Sequence, residues 1–212
     1  MNATWLVIAK EPIAGRVKTR LTPPCGPDAA ALLADAALRD TIAAVDATPA
    51  ERRVLVFDGT PPSWLPPDWE VRAQSEGGLD ERLAAAFEPE SEAALLVGMD
   101  TPQVTPALLT AAARAMQNSH GLLGPATDGG FWIVGMTKPD ASVFRGVPMS
   151  AARTGTNQLD RLEERFDCIV DFTELTDVDR WVDAVAVARA APTTRFASVV
   201  RRVGAELGGN AP

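Results

Sequence analysis

Lysine is scarce in this chain. Three occur among the 20 basic residues of a 212-residue, acidic sequence, and two of them, Lys10 and Lys18, share one short segment. Histidine is scarcer still: His120 stands alone, which excludes a multi-histidine metal centre and leaves little ground for a Ser-His-Asp triad. Cys25 and Cys168 are too few for a zinc site or a disulfide framework, and Cys25, between Pro24 and Gly26, reads as an incidental loop thiol. No apolar run reaches membrane-spanning length. The N-terminus opens on an apolar strand with no signal-peptide pattern, so a cytoplasmic protein is expected. The formal charge of −8 argues against long nucleic acid, which needs a broad basic face, but leaves small phosphorylated molecules open. With one histidine and two cysteines, any metal would be held by carboxylates, which points to Mg²⁺ or Mn²⁺.

Against that acidic background, one basic loop stands out. The apolar run Trp5-Leu6-Val7-Ile8-Ala9 predicts a buried first strand, and Lys10, Arg16, Lys18 and Arg20 follow it around Gly15. A glycine lets backbone approach a ligand closely. In an open α/β sheet, such a loop lies at the carboxyl edge, where ligands bind. The segment carries neither a Walker pattern nor Gly-x-Gly-x-x-Gly, so phosphate binding rests here on charge and position.

Further along, strands and helices alternate. Helices are expected over about Asp28–Val45 (capped by Asp28), Leu79–Phe87, after Thr105-Pro106, over Thr154–Phe166 and over Val178–Ala190, with a short helical piece near Phe196–Val203. Strands are expected at Arg53–Asp58, Glu70–Ala73, Ala93–Gly98, Gly121–Pro125, Phe131–Gly135 and Cys168–Asp171. This order predicts one domain over 1–212: an α/β/α sandwich of three layers with a mostly parallel sheet. Its core would span 4–190, with a C-terminal helical piece and tail over 191–212. The Pro- and Trp-rich stretch Pro61–Trp69 is read as a packed surface loop.

Several carboxylates could do chemistry. Asp100 follows Leu95-Leu96-Val97-Gly98-Met99 at the end of a buried strand, where a cation held by it would bridge phosphate oxygens. Asp128, in Gly124-Pro125-Ala126-Thr127-Asp128-Gly129-Gly130, suits a hairpin turn and a ligand-facing turn equally. Asp177 and Asp179 are explained by helix capping, with a second metal ligand among them as the lesser alternative. Gln74, ahead of Gly77-Gly78, could meet a nucleobase edge or simply join strand to helix.

Taken in order, several segments resemble the nucleotide-diphospho-sugar transferase superfamily of GT-A fold. They are Ala9-Lys10-Glu11-Pro12, Lys18-Thr19-Arg20-Leu21, Gln74 with Gly78-Leu79, Gly98-Met99-Asp100-Thr101-Pro102, Gly124–Trp132, Phe144–Pro148 and Asp177-Val178-Asp179. The likeness is strongest to a small bacterial branch labelled as radical-SAM-, selenodomain- or arsenosugar-associated glycosyltransferases. The first loop and Asp100-Thr101-Pro102 are also similar to the guanylyltransferases of molybdenum-cofactor and deazaflavin-cofactor synthesis. The resemblance implies that Lys10, Lys18 and Arg20 meet nucleotide phosphates beside Gly15, with Gln74 and Gly78 near the base. It makes Asp100 the principal metal ligand and sets Asp128 near the acceptor or the metal. One departure is Arg180, where relatives carry threonine.

The expected partners are an NTP or nucleotide-sugar and a small-molecule acceptor, with Mg²⁺ or Mn²⁺. Nucleotidyl transfer from an NTP, with release of pyrophosphate, is favoured by the clustered cations, because such chemistry rests on positioning and charge neutralisation. Glycosyl transfer from a nucleotide-diphospho-sugar, with Asp128 as base, is the alternative. A nucleotide-binding module without turnover is the third.

Overall fold

The structure is a computed structural model that describes residues 3–209. β1 (Thr4–Lys10) is apolar on both faces, as its central position in the sheet requires. It pairs in parallel with β2 (Arg52–Asp58) on one side and with β4 (Ala94–Gly98) on the other. β3 (Glu70–Ala73) extends the sheet beyond β2. Across β4, the chain places β6 (Phe131–Met136) antiparallel, then β5 (Gly121–Pro125) and β7 (Ile169–Asp171), giving the order β3-β2-β1-β4-β6-β5-β7. Six strands therefore run one way and β6 alone runs back.

Side chains alternate across β1 and so build two cores. Trp5, Val7 and Ala9 meet α1 (Pro27–Asp46) and α3 (Pro106–Ala115) through Leu38, Ile42 and Leu109. Leu6 lies on the opposite face with α2 (Leu79–Phe87) and α4 (Thr154–Arg165), through Leu83, Phe87 and Leu162. This is the expected α/β/α sandwich. A third cluster joins α1 to α5 (Trp181–Ala190) and α6 (Arg195–Gly209).

Helix boundaries differ from expectation where capping was inferred from an aspartate. Gly26 is the N-cap of α1 and Pro27 its first residue, with Asp28 inside the first turn, because proline's missing N–H and fixed φ suit that position. The cap of α5 is Arg180, whose N–H donates to Asp183 at 2.6 Å. Asp177 and Asp179 thus precede the helix and do not cap it. Thr105 does cap α3, accepting from Leu108 N–H at 3.2 Å. The Pro–Trp stretch packs as expected: Trp69 donates to Asp46 at 3.0 Å, and Arg39 stacks 4.3 Å from the centre of the Trp64 ring. Among the described residues, no helix is long and apolar enough to cross a membrane.

α6 extends well past the short piece expected from the sequence, because its first turn is anchored at a distance. Asp40, on α1, accepts from Arg195 N–H at 3.1 Å and from Phe196 N–H at 2.8 Å. Asp40→Ala leaves both donors unmet and is expected to cost about 1–2 kcal/mol. A urea denaturation midpoint equal to wild type would show that the anchor is dispensable.

Candidate active site at the carboxyl edge of the sheet

Because β6 alone is reversed, the loops leaving β1 to β5 and β7 all emerge at one edge, and the β5–β6 turn joins them there. A cleft of about 740 Å³ opens at this edge, within the range of small-ligand sites. Lys10, Arg20, Gln74, Asp100 and Asp128 line it. Lys18 lines a smaller adjoining hollow of about 180 Å³, together with Lys10, Arg20 and Asp100. Gly15 and Gly78 line neither. Gly15, at φ +77°, makes the turn of the first loop, and Gly78 is the N-cap of α2.

Two of the four loop cations, Lys18 and Arg20, are paired with acids, and Arg16 is exposed away from the cleft. Lys18 takes a left-handed backbone (φ 48°, ψ 38°) that turns its side chain inward. Its ammonium lies 2.7 Å from Asp100 Oδ1 and donates to the Val178 carbonyl. Arg20 pairs with Asp179. Lys10 has no carboxylate within ion-pair distance among the described residues and is exposed to the cleft. Gln74 borders the cleft, but its amide N–H groups go to Ala9 O at 2.7 Å and Val56 O at 3.3 Å, while Arg82 donates to its oxygen at 3.3 Å. These bonds tie the strand ends together.

Three carboxylates converge: Asp128, Asp177 and Asp179 each offer an oxygen within 4.8 Å of the others. Asp100 lies outside this group, engaged with Lys18. Asp128 sits in the expected hairpin turn, its Oδ1 accepting from Gly130 N–H at 2.7 Å. Gly129 is at φ +90°, where a Cβ would fall 2.1 Å from the Ala152 carbonyl oxygen, so no other residue fits. Asp177 and Asp179 flank Val178, which is 1% exposed. The segment alternates here: Val178 is buried, while the carboxylates on either side of it line the cleft and meet Asp128. That alternation was the signal in Thr176-Asp177-Val178-Asp179 that a capping interpretation overlooks. Thr101, Arg180 and Asp183 also line the cleft. Thr101 Oγ1 is buried without a hydrogen-bond partner.

Electrostatics mark the cluster as strained. The Asp177 carboxyl is pushed up to about 6, first by burial, then by the charges of Asp128 and Asp179; Lys18 opposes the rise and Asp100 adds to it slightly.

The comparisons agree with this architecture. Residues 30–151 match the model of a protein family described as "Uncharacterized protein conserved in bacteria (DUF2064)". The chain belongs to this bacterial family. The matched region contains Gln74, Asp100 and Asp128, while the basic loop and Asp177–Asp179 lie on either side of it. No curated protein matches the chain. Among solved structures, a Desulfovibrio desulfuricans G20 protein provisionally named a nucleotide-diphospho-sugar transferase superposes with a TM-score of 0.86 at 24% identity, over 99% of this chain and 98% of that one. A CMP-2-keto-3-deoxy-manno-octonic acid synthetase complexed with CTP gives 0.53 at 11% identity, over 89% and 100%. A Mycobacterium tuberculosis H37Rv protein in complex with manganese gives 0.50 at 20% identity, over 89% and 98%. The fold is the nucleotide-diphospho-sugar transferase-like one.

The raised Asp177 value has a consequence for stability. The folded state holds this proton more tightly than the unfolded chain between about pH 4 and 6, so its contribution to stability falls as pH rises through that window. Asp177→Asn removes the repulsion. Discounted for partial solvent exposure, the gain is about 1 kcal/mol, a Tm increase of about 2–4 °C at pH 7.5 and none near pH 4. An equal effect at both pH values would mean that the cluster is not repulsive.

Proposed function

We propose that the protein is a transferase that uses a nucleotide donor together with a divalent cation. The observation that carries this reading is the meeting of Asp128, Asp177 and Asp179 in a cleft that also exposes the unpaired Lys10. Like charges so close call for a counter-ion, and an all-oxygen donor set suits Mg²⁺ or Mn²⁺. The orphan Thr101 hydroxyl beside Asp100 is a further polar group in need of a ligand or water. Asp177 and Asp179, both half-buried, would hold the cation. When bound, such a cation offsets the charge that builds on a phosphate leaving group. Lys10, at the end of β1, binds a phosphate oxygen. Asp128, the exposed member, takes the proton from an acceptor hydroxyl.

The geometry favours a nucleotide-diphospho-sugar as donor. Three loop cations converging on a triphosphate were the reason to expect nucleotidyl transfer, and in the folded chain two of them are already neutralised by Asp100 and Asp179. One free lysine and one divalent cation balance a diphosphate better. The name of the Desulfovibrio protein supports the same choice. Nucleotidyl transfer is the second reading, because Arg20 is 66% exposed and its surface ion pair is weak enough to exchange for a phosphate; the CTP complex of the synthetase also favours it.

A thermal-shift panel of the four NTPs and common nucleotide-sugars, each with and without Mn²⁺, tests the donor. The largest metal-dependent rise is expected with a nucleotide-sugar, and nucleoside diphosphate should then appear as product. A triphosphate giving the largest rise, with pyrophosphate released, would select the second reading; ligand binding indifferent to metal would remove both. In the same assay, Lys10→Ala should weaken donor binding about tenfold, as expected for a lost charge-assisted bond, and leave nucleoside binding unchanged. Equal loss for both would deny Lys10 its phosphate.

A further inference from the structure

Lys18 is the one cation of the basic loop that is buried: its side chain is 8% exposed, whereas its partner Asp100 is 46% exposed. Its ammonium forms an ion pair with Asp100 and donates a hydrogen bond to the Val178 carbonyl. The backbone N–H of the same Val178 donates to the Asp100 carbonyl at 2.9 Å. Val178 is thus gripped through both of its peptide groups, and the residues on either side of it are Asp177 and Asp179. Arg20 holds Asp179 from the same loop, and Gln103 donates to Thr176 O just upstream. Between β7 and α5 the chain is held to the β5 end by an isolated bridge at Leu175, whose N–H donates to Pro125 O at 3.1 Å and whose carbonyl accepts from Thr127 N–H at 3.0 Å. Beyond Leu175, the contacts to Thr176, Val178 and Asp179 set where the carboxylates point. A lysine at φ 48° is also unfavourable backbone, retained here where it turns the ammonium toward Asp100.

We propose that Lys18 is a positioning residue: by bonding Asp100 and Val178 it orients Asp177 and Asp179 toward Asp128, and so builds the cation site. It does not serve as a phosphate ligand. This inference rests on the cation reading of the cleft. It assigns the two loop lysines opposite tasks, Lys10 facing the substrate and Lys18 facing the protein.

The sign of one measurement separates this role from a bystander's. Lys18→Met keeps the length of the stem and removes a positive charge beside an acidic cluster. If Lys18 is merely a nearby charge, Mn²⁺ binding must tighten. If Lys18 positions the carboxylates, Mn²⁺ binding weakens by about tenfold or more, as for other groups that orient metal ligands. Free Mn²⁺ would be titrated by electron paramagnetic resonance into nucleotide-free protein. Lys18→Arg, which keeps the charge but not the geometry, is the second variant and should also weaken binding.

Hydrogen exchange of metal-free protein supplies a readout independent of the cation. The peptide covering residues 173–180 should exchange about tenfold faster in Lys18→Met, while peptides from β1, β2 and β4 stay at wild-type rates and report an intact fold. Tighter Mn²⁺ binding by Lys18→Met, or unchanged exchange over 173–180, overturns the proposal. Faster exchange there in a protein whose wild type binds no Mn²⁺ would overturn the cation reading and leave the Lys18 tether supported.

Discussion

The reversal of a single strand governs the rest of this molecule. β6 pairs antiparallel with β4 and with β5, so the turn that begins it lies beside the end of β4. Asp128 and Asp100 are brought to the same edge by that pairing, although they belong to different supersecondary units. Had β5 paired directly with β4 as another parallel strand, no hairpin turn would stand between them. The glycines of the turn follow from the same constraint, since the Ala152 carbonyl closes over Gly129 and Gly155 N–H donates to Gly129 O at 2.7 Å.

The cluster of like charges stands at this edge on an apolar scaffold whose strand ends and neighbouring loop are tied by hydrogen bonds, the Thr101 hydroxyl excepted. The ends of β1, β2 and β3 are joined by Gln74, and Val178 is bonded through both its N–H and its carbonyl. Partial burial then raises Asp177 where a solvated carboxylate would stay low. Carboxylates crowded in this way are under electrostatic stress, as perturbed groups at functional sites commonly are.

Much of this was legible in the sequence. The strands announce themselves because each is a short apolar run bounded by turn residues, and their alternation with helices implies the sandwich. Asp128 was visible as a turn with two possible uses, and the folded chain places that turn in the cleft. Direction was harder to read. Nothing in Gly15-Arg16-Val17-Lys18 states that Lys18 adopts a left-handed backbone and points inward, since that conformation is set by partners 82 and 160 positions away. Gln74 does join strand to helix, through bonds to Ala9 and Val56, and it borders the cleft as well. The capping role given to Asp177 and Asp179 failed because an acidic pair ahead of an apolar run suits a helix start and a half-buried loop before the helix equally well.

The 160-residue separation between Lys18 and Val178 also bears on how the chain is made. β1 and its loop are synthesised before β2 and β4, which can pair with β1 early. The ammonium of Lys18 and the carboxylate of Asp100 must then wait, close together, for a segment synthesised much later. Contacts of such long range form slowly, and they arrive here with α5 and α6 in tow. The cleft therefore depends on the last of these segments, and a chain that has formed most of its sheet still lacks the meeting of Asp128 with Asp177 and Asp179.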